Sequence, residues 1–481
     1  MDYGFNKFIK EKNQLYFFIL FSLIAAIICV LMRVFYSFPF SYSDTGSYVL
    51  SAASGTFNVF RPMGYSKYIR FIHSISDSIY SVFYVNYFLL YLAEMFLLFS
   101  VKYLMKIKNS VVFFMFGLFM LTNARLIFSC NLLMSDGIFT ILTILYITLQ
   151  LWLISRPSYF IALISMVLLV LLCRIRYSGL FFIPVTVLVF FLSFKEKKKF
   201  VLCVLTCLPL ITGAYIYSST KKQYVENVHV DTFSGFGGWQ SINNASVLLP
   251  EAKSIPISKF KTPQLKTLHT YIQTCPDNIF HDSYSMTTSY MWDNDLPYKI
   301  FNTYMLDCSG YDYPTQWAVN GKLYSEYAKV LIKEYPFKYL VRFIIPSLVS
   351  NFKFKAFEEN DIILVNEKLY QEYYGLTEAE YSHDCKFFVN IEPMRKVLQL
   401  ILWFVFLFSV ILFLLTAKTS TKDKIYFQKL CLLLTVIVVL VAQSLSSPNT
   451  TWRYTLPVFA PMLIFITCVF DGQISRFMGR K

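Results

Sequence analysis

The chain has 481 residues, 56% hydrophobic and 19% aromatic with only 15% charged, a balance that excludes a soluble globular protein of this length. Its formal net charge of +15 does not mark a nucleic-acid-binding face. Residues 218–395 hold 17 Lys+Arg and 20 Asp+Glu, a net of −3, so the remainder carries +18; that excess sits in short turns between apolar runs, where it sets topology and meets anionic lipid.

Ten apolar runs are expected to cross a membrane: Leu15 to Tyr36, Ile79 to Tyr103, Val111 to Thr122, Ile138 to Ile154, Tyr159 to Cys173, Leu180 to Phe194, Val201 to Ile216, Val397 to Ala417, Ile425 to Gln443 and Thr455 to Phe470. The first is long enough to span and is followed by bulky residues, so it reads as a retained helix rather than a cleaved signal. Several others are shorter than the roughly 20 residues a perpendicular helix needs. Such helices are expected to end in a solvated cavity.

Lys7, Lys10, Lys12, Lys102, Lys106, Lys108, Arg156, Lys195 to Lys199, Lys418, Lys422, Lys424, Arg476, Arg480 and Lys481 fall on one side of this arrangement. The excess of Lys and Arg on cytoplasmic turns then places both termini inside. Residues 1–216 form an N-terminal transmembrane module with its first outer loop at 37–78. Residues 217–396 form an extracytoplasmic, mostly α domain between the seventh and eighth spans, and 397–481 a C-terminal transmembrane module. Within the domain, 335–352 (YPFKYLVRFIIPSLVSNF) has a basic-aromatic, then apolar pattern broken by Pro346 and reads as an interfacial helix. Of ten cysteines only Cys275, Cys308 and Cys385 lie in this domain, which allows at most one internal disulfide there.

Polar residues recur at the outer ends of the spans. Asp44 stands one helical turn before Tyr48 in Ser-Asp-Thr-Gly, and two readings of it are open: an N-cap for the helix that follows, or a functional carboxylate at the membrane surface. Arg61-Pro62-Met63-Gly64-Tyr65 is a turn into a helix. Asn123-Ala124-Arg125 and Ser135-Asp136-Gly137 bracket the turn between two short spans, Arg174-Ile175-Arg176-Tyr177 interrupts another hairpin, and PNTTWRY, Pro448 to Tyr454, precedes the last span. Arg61, Arg125, Arg174, Arg176 and Arg453 thus share the outer face, against the usual depletion of positive charge there. They either pair with Asp44, Asp77 or Asp136, or bind a phosphate-bearing ligand, for which arginine forks are suited. Glu94, inside the second span, reads as a structural ion pair or a buried protonated carboxyl.

The order of these motifs resembles the polytopic GT-C glycosyltransferases, in the bacterial branch related to protein O-mannosyltransferases and lipid A aminoarabinose transferases. The resemblance rests on Asp44 with Tyr48, Arg-Pro-x-Gly-Tyr from Arg61, Ser135-Asp136, Arg-x-x-Tyr-Ser-Gly from Arg174, and Arg453-Tyr454 with Pro457. It covers residues 1 to about 200 and 440 to 470. It implies a GT-C-like helical fold in a bacterial inner membrane and transfer of a sugar from a polyprenyl-phosphate donor to a lipid, glycan or protein acceptor on the outer face. Asp44 and Asp136 become catalytic carboxylates; Arg61, Arg125, Arg174, Arg176 and Arg453 become donor-phosphate ligands; Tyr48, Tyr65 and Tyr454 line the acceptor cavity. A divalent cation, if used, would sit on Asp44 and Asp136, although Asp44 is followed by Thr45 where many members have a second acid. The rival readings are an O-antigen or capsule polymerase or ligase, and a lipid-linked sugar flippase or transporter. The first does not depend on an acid in the first outer loop, and the second often carries internal repeats, which this chain lacks.

Overall fold

Long apolar runs form helices because in lipid every backbone N–H and C=O must be satisfied within the segment, and the chain follows that rule throughout. A computed structural model describes residues 4–35, 44–275, 310–352, 367–375, 392–416, 423–446 and 452–478. Among them there is no strand, and nine helices are long and apolar enough to cross a membrane, with Tyr159–Ile175 a shorter apolar tenth. Each of the ten expected spans corresponds to one of these helices. The protein is an α-helical, polytopic membrane protein.

In chain order the helices used below are α1 (Lys12–Phe35), α2 (Thr45–Ser54), α3 (Gly64–His73), α4 (Tyr80–Leu104), α5 (Ser110–Leu121), α6 (Ala124–Asn131), α7 (Ser135–Ser155), α8 (Tyr159–Ile175), α9 (Ile183–Phe194) and α10 (Lys199–Val228). They continue as α11 (Gly237–Ala245), α12 (Pro263–Thr274), α13 (Tyr313–Glu334), α14 (residues 336–350, three consecutive helical pieces), α15 (Glu367–Tyr374), α16 (Glu392–Thr416), α17 (Lys424–Ser446) and α18 (Leu456–Met478).

Burial sorts the spans into an inside and an outside. In α7 and in the last span, 78% and 83% of the apolar window is buried, against 17% in α1, 11% in α10 and 22% in α16. The outer helices keep Leu23, Ile27, Val30, Leu210 and Phe404 exposed, the surface a helix presents to lipid. α7 and α18 therefore form the axis of the bundle.

Two helices differ in extent from the sequence reading. The third span does not stop at Thr122. Asn123 accepts hydrogen bonds from the Arg125 and Leu126 amides, capping a new helix, and α6 runs on to Asn131 before the chain reverses into α7. The seventh span continues past Ile216 to Val228, where its polar end packs against the first loop and the part of the chain that follows, called the outer domain for the side on which the charge pattern of the sequence places it. There Tyr224 donates to the Val59 carbonyl at 2.6 Å and accepts from the Gly235 amide at 3.0 Å, tying the first loop to the outer domain.

The described part of the outer domain is helical and has its own core, with Trp239, Phe260, Leu268, Trp317, Tyr324 and Tyr327 all buried. α11 crosses α13 at two glycines: a Cβ on Gly238 would stand 1.6 Å from the Gly321 carbonyl oxygen. Asn244 donates to the Ser446 carbonyl at 2.9 Å, which seats the domain on the end of α17. Cys308 and Cys385 lie outside the described residues.

Candidate functional site

Asp136 occupies the first turn of α7, where the helix dipole favours a carboxylate, and it is 1% exposed. The turn is fixed in place by its neighbour Gly137, whose Cβ would lie 2.5 Å from the Ser129 carbonyl of α6. Arg176 follows the C-terminus of α8 in extended conformation and donates from Nη1 to Asp136 Oδ1 while lying 5.7 Å over the Phe139 ring. Arg453, in the 3-10 turn Trp452–Thr455 that opens α18, brings its Nη1 to 3.6 Å from Asp136 Oδ2. One buried acid is thus bracketed by two arginines from separate turns.

Asp44 sits at the N-cap position of α2, yet its carboxylate makes no capping hydrogen bond. It pairs instead with Arg61, Oδ1 to Nη2 at 2.8 Å, so the carboxylate does not cap the helix, and Arg61, like Arg176 and Arg453, shows the pairing with an acid that the sequence offered as one of two readings. The arrangement is built locally. Asn58, which is buried, accepts from the Phe60 and Arg61 amides at 3.0 and 3.1 Å and donates to the Ser47 carbonyl of α2 at 3.1 Å, so one side chain fixes the turn carrying Arg61 against the helix carrying Asp44. Arg61 also lies 5.0 Å over the Phe236 ring of the outer domain. Burial pushes the Asp44 carboxyl up, but Arg61, Arg453 and Arg176 more than offset it and hold its pKa below the ordinary value. The two acid–arginine groups therefore share one electrostatic field. Two carboxylates and three guanidiniums leave it with one excess positive charge.

A narrow cleft, with room for about one water molecule in this conformation, lies against this cluster. Its lining is mixed: Asp136, Arg176, Arg453, Tyr454, Ser178 and Gln443 are polar, and Phe139, Phe181, Phe182, Val439 and Leu456 are apolar.

The other expected residues are placed as follows. Arg125 donates to Gln399 Oε1 of α16 and, at 3.4 Å, to Thr455 Oγ1, so it braces the turn that carries Arg453 rather than lining the cleft. Arg174 turns away to donate to Ser219 of α10 at 3.1 Å and stands outside the cleft. Tyr48 and Tyr65 are buried edge to face with centroids 4.8 Å apart, Tyr48 reaching the Ser135 hydroxyl at 3.1 Å beside Asp136. They support the floor under the acids. Tyr454 lines the cleft itself. Asp77 faces His73 at 3.7 Å, not an arginine. Glu94 is buried in α4, and its Oε1 has no hydrogen-bond partner among the described residues.

Asn58, Gln399, Gln443 and Thr455 were not legible as site residues, whereas Ser178 stands in the Ser-Gly on which the resemblance rests. Of those four only Asn58 left a signal, in the turn chemistry of Asn-x-x-Arg-Pro. The residues do not fit a divalent cation: both carboxylates face guanidinium groups that would repel one, and among the described residues no three His, Cys, Asp or Glu side chains gather. Comparison with models of known families, with curated proteins and with solved structures returned no match.

Proposed function

We propose that this chain is an integral-membrane glycosyltransferase that moves a sugar from a polyprenyl-phosphate donor to an acceptor on the outer face of a bacterial inner membrane. The observation that carries the reading is the mixed lining of the cleft. Arg176 and Arg453 line it together with Phe139, Phe181, Phe182, Val439 and Leu456. A phosphate joined to a prenyl chain asks for both, arginine forks for the phosphate and an apolar surface for the chain.

In this reading Asp44, which is ionised, partly exposed and within the field of Arg176 and Arg453 though not among the residues lining the cleft, accepts the proton of the acceptor hydroxyl as that oxygen attacks the anomeric carbon. The bond from that carbon to the donor phosphate breaks, and its electron pair leaves on the phosphate oxygen. Arg176 and Arg453 offset the charge that gathers there, and because Asp136 already holds them in place little reorganisation is needed during the reaction. A single displacement of this kind inverts the anomeric centre.

The test is radiolabel transfer by purified protein in bilayers, offered a panel of polyprenyl-phosphate sugars, with release of polyprenyl phosphate followed for wild type and Asp44→Asn. Release by the wild type alone supports the reading. Undiminished release by a folded Asp44→Asn variant removes Asp44 from the mechanism, and no release from any donor by folded wild type removes the transferase.

A further inference from the structure

The helix at 336–350 is inverted with respect to water. Between residues 337 and 352 the exposed residues are Phe337, Leu340, Val341, Ile345, Val349 and Phe352, all apolar, at 74, 40, 44, 46, 52 and 43%, while the side chains of Lys338 and Arg342 between them, 44 and 33% exposed, turn to Glu251. The buried positions on the opposite face include Ser347, Ser350 and Asn351 beside Tyr339 and Phe343. A helix packed on a domain and bathed in water shows the reverse order, polar outside and apolar within.

Local chemistry explains its shape. Pro346 has no amide proton to give the carbonyl four residues back and its ring crowds that carbonyl, and the preceding turn, Leu340–Ile344, widens to a π-helix. The widening keeps Phe337, Val341, Ile345 and Val349 on one stripe while Tyr339 and Phe343 enter the outer-domain core. Two cations cross from the stripe to the domain side. Lys338 and Arg342 both reach Glu251 Oε1, at 3.0 and 2.6 Å, and Arg342 also donates to the Val247 carbonyl at 3.4 Å. They pin the helix to the domain from above.

The far end is pinned to the bundle. Asn351 donates to the Ser444 hydroxyl at 2.8 Å, in the last turn of α17 and next to Gln443, which lines the cleft. The stripe therefore begins where a membrane span ends, continuous with the lipid-facing surface of the bundle. At 1.5 Å per residue the helix is only about 22 Å long, too short to cross a hydrocarbon core of about 30 Å.

We infer that this helix lies in the plane of the bilayer boundary, with Phe337, Val341, Ile345 and Val349 set among lipid acyl chains, and that it forms a sill between the lipid and the mouth of the cleft. The partner is the lipid surface itself, and the inference stands apart from the transfer chemistry.

The experiment places a photoreactive benzoylphenylalanine singly at Val341, Ile345 or Val349 in the full chain, reconstituted in vesicles of phosphatidylethanolamine and phosphatidylglycerol, and identifies the adducts by mass spectrometry. Val30, on the exposed face of α1, serves as the lipid-facing control, and Tyr313, exposed on the outer domain, as the water-facing one. Lipid adducts at the three positions, comparable to Val30 and roughly tenfold above Tyr313, are expected of an interfacial stripe. Adducts at the Tyr313 level, with Val30 still labelled by lipid, would overturn the inference. So would adducts joining the three positions to a second protein chain, because the stripe would then be a protein interface.

Discussion

The Asp136 carboxylate, in the first turn of α7, lies 3.6 Å from the Arg453 guanidinium in the turn that opens α18. The same carboxylate holds Arg176 through its other oxygen. The group closes over the ends of the two axial helices, so its charges are held where water is scarce and their spacing is set by the bundle rather than by flexible loops. A buried carboxylate between two arginines is costly to desolvate and weak evidence of stabilisation by itself. Its location beside a cleft with apolar walls is what gives it meaning.

Removing Asp136 alone leaves two arginines facing each other in a low-dielectric setting. Asp136→Ala is expected to lower stability by about 3–5 kcal/mol, the cost of breaking a buried pair from one side. Thermal unfolding in detergent measures it, and an unchanged midpoint would mean that the arginines are satisfied without this acid.

Asp44 gives a pH dependence with a defined sign. Its folded pKa lies below the unfolded value, because the arginines outweigh the effect of burial. The Asp44–Arg61 pair therefore contributes its full stability above the unfolded carboxylate value of about 3.9 and loses it as pH falls through the lower folded value. In the proposed mechanism, transfer stays level from neutrality down to the folded carboxyl value and falls as pH drops through it. Arg61→Gln withdraws the nearest cation, so the acid limb of the pH–rate profile should move to higher pH. A limb left in place would show that Asp44 does not set it.

The outer domain depends on one of two adjacent glycines far more than on the other. Gly238→Ala puts a methyl into the Gly321 backbone and must push α11 away from α13, whereas Gly237→Ala meets only the Ser234 side chain at 3.2 Å. The first change is expected to cost about 1–3 kcal/mol, as overpacking does, and the second markedly less. Limited proteolysis of the outer domain and the midpoint of thermal unfolding would separate them; equal effects would argue against the close crossing.

How far the site was legible is shown best by Arg174 and Arg176. Both stand at the same hairpin with the same chemistry, and the resemblance carried the lipid-phosphate role to Arg174, the one that turns away from the cleft. Arg174 belongs to the last turn of α8 and faces α10; Arg176, just past the helix end in extended backbone, swings to α7. Two residues apart at a helix terminus do not share a direction. Asp44 was ambiguous for a related reason, since Ser-Asp-Thr is good capping chemistry and only the position of Arg61 shows what its carboxylate faces. Gln399 and Thr455 carried no signal, because their part in bracing Arg453 comes entirely from Arg125 on a distant helix.

The sequence by itself determined that the chain is a helical membrane protein, where its ten spans run, and that its unusual polar residues collect at the ends of those spans. These follow from hydropathy and turn chemistry, which act over a few residues at a time and leave their mark in composition and spacing. Only the tertiary structure decided which arginine meets which acid, that α7 and α18 are the axis, and that the helix at 336–350, which the sequence already placed at the interface, is anchored on Glu251 and Ser444. Those outcomes depend on contacts between segments far apart in the chain, whose geometry is set by helix packing and not by any local pattern.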